Sequence, residues 1–341
     1  MTAQTQTTVP TDSNWIRLRN FILQHGFNIV LIFVLLFYSL SAPRFLTSAN
    51  LISLLHAAAP MMIIAAGLAL VVMTGKLDIS VGSVAFLTSS IGTILMVRNG
   101  FDPLLTLVIV LVIGLLIGML NGFLVVVLKI SPLIATLGTM ISLRGVGLEL
   151  TRSTTISLPE DIRRLGNLTV GSVFVDSLIA LAVLVIIHIV VTRTPFGRWL
   201  IAIGNGEETA ARLGIRTRQV TYLSFILSSL LATLGGIVTV IQVGAASPSI
   251  GSGLEFTAVS VIVIGGISLF GGEGSILPGA LRGVLILEII RNGLNHLGAD
   301  PYAYRFVNGA IIFIAMYADS LRARLPVTPR TSESSKPSKS T

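Results

Sequence analysis

The sequence predicts an all-α fold, a polytopic transmembrane helical bundle of about ten helices, and three observations carry that prediction. Hydrophobic residues make up 53% of the 341-residue chain and charged residues only 11%, against about 25% charged in a soluble domain. The mean hydropathy is +0.90. The apolar residues also fall in blocks close to the ~20 residues that a helix needs to cross a hydrocarbon core, with short breaks between them.

In chain order the expected spans are Asn28–Ala42, Leu54–Met73, Val81–Val97, Leu104–Leu128 and Leu133–Leu150. After a polar segment come Val175–Val191, Val220–Val243, Ala258–Phe270, Ser275–Leu294 and Tyr304–Ser320. This divides the chain into a cytoplasmic N-terminal tail (1–26), a membrane domain (27–320) and a disordered cytoplasmic C-terminal tail (321–341). The last of these ends in a run rich in Ser, Thr, Pro and Lys from Pro329 onward. Arg17 and Arg19 ahead of the apolar run from Phe27 resemble a signal peptide, but no small-residue cleavage pattern follows, so the run reads as an uncleaved first span. No loop is large enough to bury a core of its own. Gly114, Gly118 and Gly122 form a GxxxGxxxG ridge, and Gly279 and Gly283 repeat the spacing. Small residues every fourth position let helix backbones approach closely in lipid.

The formal net charge is +8, yet no basic stripe interleaved with aromatics appears, which argues against nucleic acid as a partner. The basic residues sit in tails and loops, where they report orientation, because cytoplasmic loops collect Lys and Arg. An even helix count puts both termini on one side. With the N-terminus inside, the loop 193–218 (Arg193, Arg198, Arg212, Arg216, Arg218) and the tail (Arg322, Arg324, Arg330, Lys336, Lys339) also fall inside. The segment Thr151–Ser172 disagrees, since it lies outside and carries Arg152, Arg163 and Arg164, offset in part by Glu160 and Asp161. There are no cysteines, which excludes disulfides, thiol nucleophiles and Cys-based zinc sites.

The most informative stretch is TGKLDISVGS, Thr74–Ser83, which joins two spans without a polar loop of normal length. Lys76 and Asp78 thus approach membrane depth, where charges are costly and face a wet cavity or each other. Gly75 and Gly82 permit an unwound backbone, tolerated at depth only where it lines protein or a cavity. Ser80 or Asp78 is placed to cap the next helix. Two readings stand: a broken helix on a translocation pathway, with Thr74, Lys76, Asp78 and Ser80 along it, or a tight cytoplasmic turn with a solvated Lys–Asp pair. A second break, IGGISLFGGEGSILPGA (Ile264–Ala280), offers Ser268 and Glu273. Corresponding breaks in two halves point to an inverted five-helix repeat and a central path, with chance similarity as the other reading. No GxxxxGK[ST] occurs, so the chain holds no Walker ATP site.

Glu288 and Arg291 are spaced to pair along one helix face. Glu149 and Glu255 fall near expected helix ends. His56 and His188 stand alone on apolar spans and read as packed or interfacial, so no metal site is expected. In the largest cytoplasmic loop, Glu207–Leu213 suits a short helix with Asn205 as its cap, acids in its first turn and Gly214 as its stop. An exposed helix there is shaped either to dock into a partner or to serve as a plain connector.

These motifs resemble, in order, those of the ribose-type permeases of bacterial ABC importers. The resemblance runs over nearly all of 51–320 and is carried by five segments. They are TGKLDISVGS; NGFLVVVLKISPLIATLGTMISLRG (Asn121–Gly145); FGRWLIAIGNGEETAARLGI (Phe196–Ile215); GGISLFGGEGS; and RNGLNHLG, ending at Gly298. The resemblance implies a non-enzymatic permease that imports a monosaccharide or related polyol through the bacterial inner membrane by alternating access. ATP would be bound and hydrolysed by a cytoplasmic ABC ATPase partner, with no cofactor in this chain. A periplasmic or lipid-anchored sugar-binding protein would deliver the solute, and a second permease copy or paralogue would complete the dimer within the membrane lipid. The segment matching the family's coupling helix is Gly204, Asn205, Gly206, Glu207, Glu208, Ala210, Ala211, Arg212, Leu213 and Gly214.

The family usually has a second glycine where this chain has Lys76. A cation there either favours an acidic or heavily hydroxylated substrate or pairs with Asp78; the pair is preferred. The alternatives to a sugar importer are a branched-chain amino acid-type ABC permease and an ATP-independent secondary transporter. The latter wants an acid–His relay that cannot be assembled from these residues. No HExxH or GxSxG motif of an intramembrane enzyme occurs.

Overall fold

The computed structural model describes residues 13–324. Their helices are α1 (Ser13–Ser41), α2 (Ser48–Val72), α3 (Val81–Asn99), α4 (Pro103–Gly122), α5 (Pro132–Thr151), α6 (Glu160–Leu165) and α7 (Val175–Arg193). Then follow α8 (Pro195–Asn205), α9 (Glu207–Arg212), α10 (Thr217–Val243), α11 (Leu254–Ile264), α12 (Leu281–His296) and α13 (Pro301–Arg324). A π-helical turn, Phe123–Val127, extends α4. Strand structure is confined to two-residue pieces, β1 (Ile156–Ser157) with β4 (Ala245–Ala246) and β2 (Thr169–Val170) with β3 (Val173–Phe174).

Among the described residues, six helices are long and apolar enough to cross a membrane: α2, α3, α4 with its π turn, α5, α7 and α10. The apolar part of α1, Gly26–Ser41, and α11 are shorter. Two expected spans are revised. The eighth starts at Leu254 and stops at Ile264, because Gly265 and Gly266 (φ +89°) end it. The ninth begins at Leu281, after a kinked turn at Ile276–Ala280. Helix also takes up parts of both expected tails, since α1 starts at Ser13 and α13 runs to Arg324. The remaining tail positions, 1–12 and 325–341, lie outside the described residues.

Helix α10 is the bundle's axis and packs on α2, α3 and α4. Apolar burial cannot drive helix pairing in lipid, so close backbone approach must, and the glycine ridge of α4 supplies it. A β-carbon at Gly118 would lie 2.7 Å from Ile226 Cα, and one at Gly122 would lie 2.9 Å from the Tyr222 ring. Gly67 of α2 meets Leu231 and Ser228 in the same way, and Gly283 of α12 meets the Val261 carbonyl.

The bundle has two distinguishable ends. At one, called here the far end, Arg98 reaches the Leu150 carbonyl and Leu158 N–H donates to Gly244. At this end His56 of α2 lies 2.8 Å from Asp176 of α7 and stacks on Phe174, and Gln242 of α10 donates to Asp176. His56 is thus packed, as one of its two expected readings has it, but it does not stand alone, since Asp176 partners it. At the opposite end, the junction end, the connections after α2, α8 and α11 meet.

Candidate functional site

Three glycine-bearing connections form the junction. Gly272 N–H donates to the Met73 carbonyl at 3.1 Å, joining the turns that follow α11 to the end of α2. Asn205, the last residue of α8, donates its side-chain amide to the Gly272 carbonyl at 3.1 Å. Gly204 is wedged between them: a β-carbon there would lie 2.1 Å from Gly272 N and 2.2 Å from the Met73 oxygen. Gly75, Gly271 and Gly272 all have φ between +73° and +83°, a region that costs other residues strain. Asn205 does not cap α9 as expected, because its side chain is committed to Gly272; Gly206 holds the cap position.

From the junction, residues 76–80 leave α2 as unwound chain. Gly75 lies beside Phe270 in the turns beyond α11, while Gly82 lies beside Gly251 and Glu255 at the start of α11. The stretch therefore runs alongside α11, whose 11 residues span about 16 Å, about the reach of five extended residues. Helix α3 consequently starts inside the bundle, with Val81 fully buried. Unwound backbone in such surroundings needs partners, and Thr136 of α5 supplies one, its hydroxyl accepting from Ile79 N–H at 3.2 Å.

Asp78 is fully buried. It accepts from the Ser80 hydroxyl (2.6 Å), the Ser80 N–H (3.0 Å) and the Ser228 hydroxyl of α10 (3.0 Å). Asn121 of α4 donates to the Ser80 hydroxyl at 2.9 Å, and its own Oδ1 is buried without a hydrogen-bond partner. One carboxylate thus ties α3, α4 and α10 around a polar centre. Ser80 occupies the α3 cap position but makes no side-chain cap bond, being engaged by Asp78 and Asn121.

The expected Lys76–Asp78 pair is not formed. Lys76 Nζ lies 2.7 Å from Glu207 Oε2, so the lysine faces the first turn of α9 while Asp78 faces inward. Thr74 is buried and bonds back to the Val71 carbonyl. Ser268 and Glu273 sit in the turns after α11, where the Ser268 hydroxyl accepts from Phe270 N–H and Glu273 is exposed. Within α9 Ala210 is buried and Glu208, Ala211 and Arg212 are exposed, as is Leu213 just after it, to 77%. Gly214 follows with φ +82°.

Sequence reasoning passed over three groups. Arg144, in the middle of α5, donates to the Ile250 and Pro248 carbonyls and stacks its guanidinium 4.3 Å from the Phe86 ring centre. It holds the loop 247–253 against the start of α3. An arginine within an apolar span was itself the signal. Ser228 and Asn121 gave a fainter one, as isolated polar residues on apolar helices. Glu288 and Arg291 pair at 2.6 Å, as their spacing predicts.

The family model described as branched-chain amino acid transport system / permease component matches residues 50–316. The ribose import permease protein of Bacillus subtilis is 36% identical over 292 residues, 85% of this chain and 90% of that protein. A probable ABC transporter permease of Escherichia coli K12, YphD, is 36% identical over 314 residues, covering 90% and 93%. The autoinducer 2 import system permease LsrC of Photorhabdus laumondii is 32% identical over 260 residues, covering 76% and 78%. No solved structure matches the chain significantly. The chain therefore belongs to the ribose-type permease family of ABC importers, whose members are transport subunits and not enzymes.

Proposed function

We propose that this chain imports a monosaccharide or a closely related polyol derivative, gated by the buried Asp78 centre and driven from the α9 surface. The observation that carries this reading is the junction, where the end of α8, which leads into the exposed short helix α9, is locked by backbone contact to the end of α2, from which the unwound segment runs to Asp78. Leu213, 77% exposed beside Ala211, offers an apolar knob for a partner. A cytoplasmic ABC ATPase is the partner that named ABC import permeases imply. A sugar-binding protein would face the far end, and a second permease copy or a paralogue would complete the path. In this reading ten helices cross the bacterial inner membrane, both termini are cytoplasmic, and the breaks at Thr74–Ser83 and Ile264–Ala280 belong to the two halves of an inverted repeat. The N-termini of α3 and α11 meet at Gly82, Gly251 and the buried Glu255, the arrangement in which broken helices present their positive ends to a solute. The relatives named for ribose and autoinducer 2 favour a sugar-like solute over a branched-chain amino acid.

The test is affinity purification of the chain from its native membranes with mass spectrometry of what accompanies it. An ATP-binding subunit is expected, and it should be lost when Glu208→Lys and Leu213→Asp are combined on the exposed face of α9. A chain that purifies alone and drives sugar uptake into vesicles without ATP would overturn the reading in favour of a secondary transporter.

A further inference from the structure

We propose that Lys76 is a positioning residue for energy coupling: its ion pair with Glu207 delivers movement of α9 to the unwound segment that holds Asp78. This rests on the ATPase-driven reading above and assigns Lys76 a task different from substrate selection.

The geometry makes the pair a lever. Glu207 is the first residue of α9, half-exposed, and its carboxylate meets Lys76 Nζ at 2.7 Å. Lys76 is the better buried partner, with 16% of its side chain exposed. It stands one residue after Gly75, whose left-handed backbone marks the turn out of α2, and two residues before Asp78. Asp78 in turn holds Ser80, at the start of α3, and Ser228 of α10. A displacement of Glu207 is thereby passed along two residues of unwound chain to the group that fastens α3 to α10.

Among the described residues this is the one ion pair that joins α9 to the segment 73–80. The other links at the junction involve backbone groups or the Asn205 amide, at Gly204, Gly272 and Met73. Those contacts keep the connections together but act at Met73, three residues ahead of the unwound stretch. Glu208, the neighbouring acid, faces outward and lies 3.6 Å from Arg212 on its own helix, so it leaves Lys76 to Glu207. With its charge matched in this way, Lys76 also contributes little field for attracting an anionic solute.

The test uses the complete transporter, permease with its ATPase and binding protein, in proteoliposomes. The ATP hydrolysed per ribose imported is measured for wild type, Lys76→Ala, Glu207→Ala, Lys76→Arg and the exchange Lys76→Glu/Glu207→Lys. Couplings between protein sites run from about 5-fold to about 150-fold. Each alanine variant is therefore expected to raise the ratio at least about 5-fold while hydrolysis continues. Lys76→Arg and the exchange should restore most of it, which a purely structural role would not require. Unchanged ratios in both alanine variants, or an exchange no better than either single variant, would overturn the proposal and leave the importer reading intact. Failure to recover any ATPase would overturn both.

Discussion

The junction is most directly probed by adding one methyl group at Gly204. A β-carbon there would sit 2.1 Å from Gly272 N and 2.2 Å from the Met73 oxygen. Ordinary contact is well over 3 Å, so the connections must part by about 1 Å, against the dense packing of a protein interior. Parting stretches the Gly272–Met73 and Asn205–Gly272 hydrogen bonds, both 3.1 Å, beyond useful length. Two lost hydrogen bonds cost about 1 kcal/mol each and overpacking costs roughly 1–3 kcal/mol. Alanine recovers about 1 kcal/mol of helix propensity over glycine, leaving about 2–4 kcal/mol of net destabilisation by the same figures. At about 2–4 °C per kcal/mol for a chain of this class, Gly204→Ala should melt roughly 5–15 °C lower in detergent. Gly206→Ala is the control two residues away. Its nearest neighbour would be Thr209 at 3.6 Å, its φ of 163° suits any residue, and a change within ±0.5 kcal/mol is expected. Equal melting of the two variants would refute the claim that Gly204 is the wedge of the junction.

Other outcomes follow from the same contacts. Asp78→Ala leaves three buried donors at Ser80 and Ser228 without an acceptor, at about 1–3 kcal/mol each; little monodisperse protein should survive size-exclusion chromatography, whereas Asp78→Asn should fold and lose uptake. Gly118→Leu should separate α4 from α10 and release Asn121 from Ser80, whereas Gly309→Leu, with nothing within 4 Å, should match wild type in thermal stability. Arg144→Met should free the loop 247–253, read as faster amide hydrogen exchange at Ile250 and its neighbours; unchanged exchange would dismiss the arginine as that loop's anchor. Gln242→Leu removes the donor shared by His56 and Asp176 and should loosen α10 from α2 and α7 at the far end, read as faster exchange around Asp176.

Long apolar blocks made α2 through α5, α7 and α10 legible, because in lipid a hydrophobic run of sufficient length has few other folds open to it. The spans around Ala258 and Ser275 were misplaced for the converse reason. There the apolar run continues through Leu269 and Phe270, while backbone conformation at Gly265 and Gly266 ends the helix. Hydropathy does not register backbone torsion. The α4 glycine ridge was legible as packing, though its partner α10 was not, since spacing on one helix says nothing of which helix lies opposite.

The polar residues divide along the same line. Glu288 and Arg291 are joined by helix geometry, and spacing alone found them. Lys76 and Asp78 lie two apart in unwound chain, where no regular repeat sets their relative direction, so proximity in sequence argued for a pair that the structure does not form. Each then finds a partner far away in sequence, Glu207 for one and Ser228 for the other. The irregular backbone sends the charge that meets the exposed helix and the charge that fastens the buried centre in different directions from one short segment. A segment of that form links α9 to the buried centre without passing through the packed interiors of the helices. Glycine-tight contacts such as Gly118 against Ile226 leave one helix little room to slide on another. The unwound stretch between Gly75 and Val81 lies between two helices rather than within one, so it is where an input at α9 can become movement at α3.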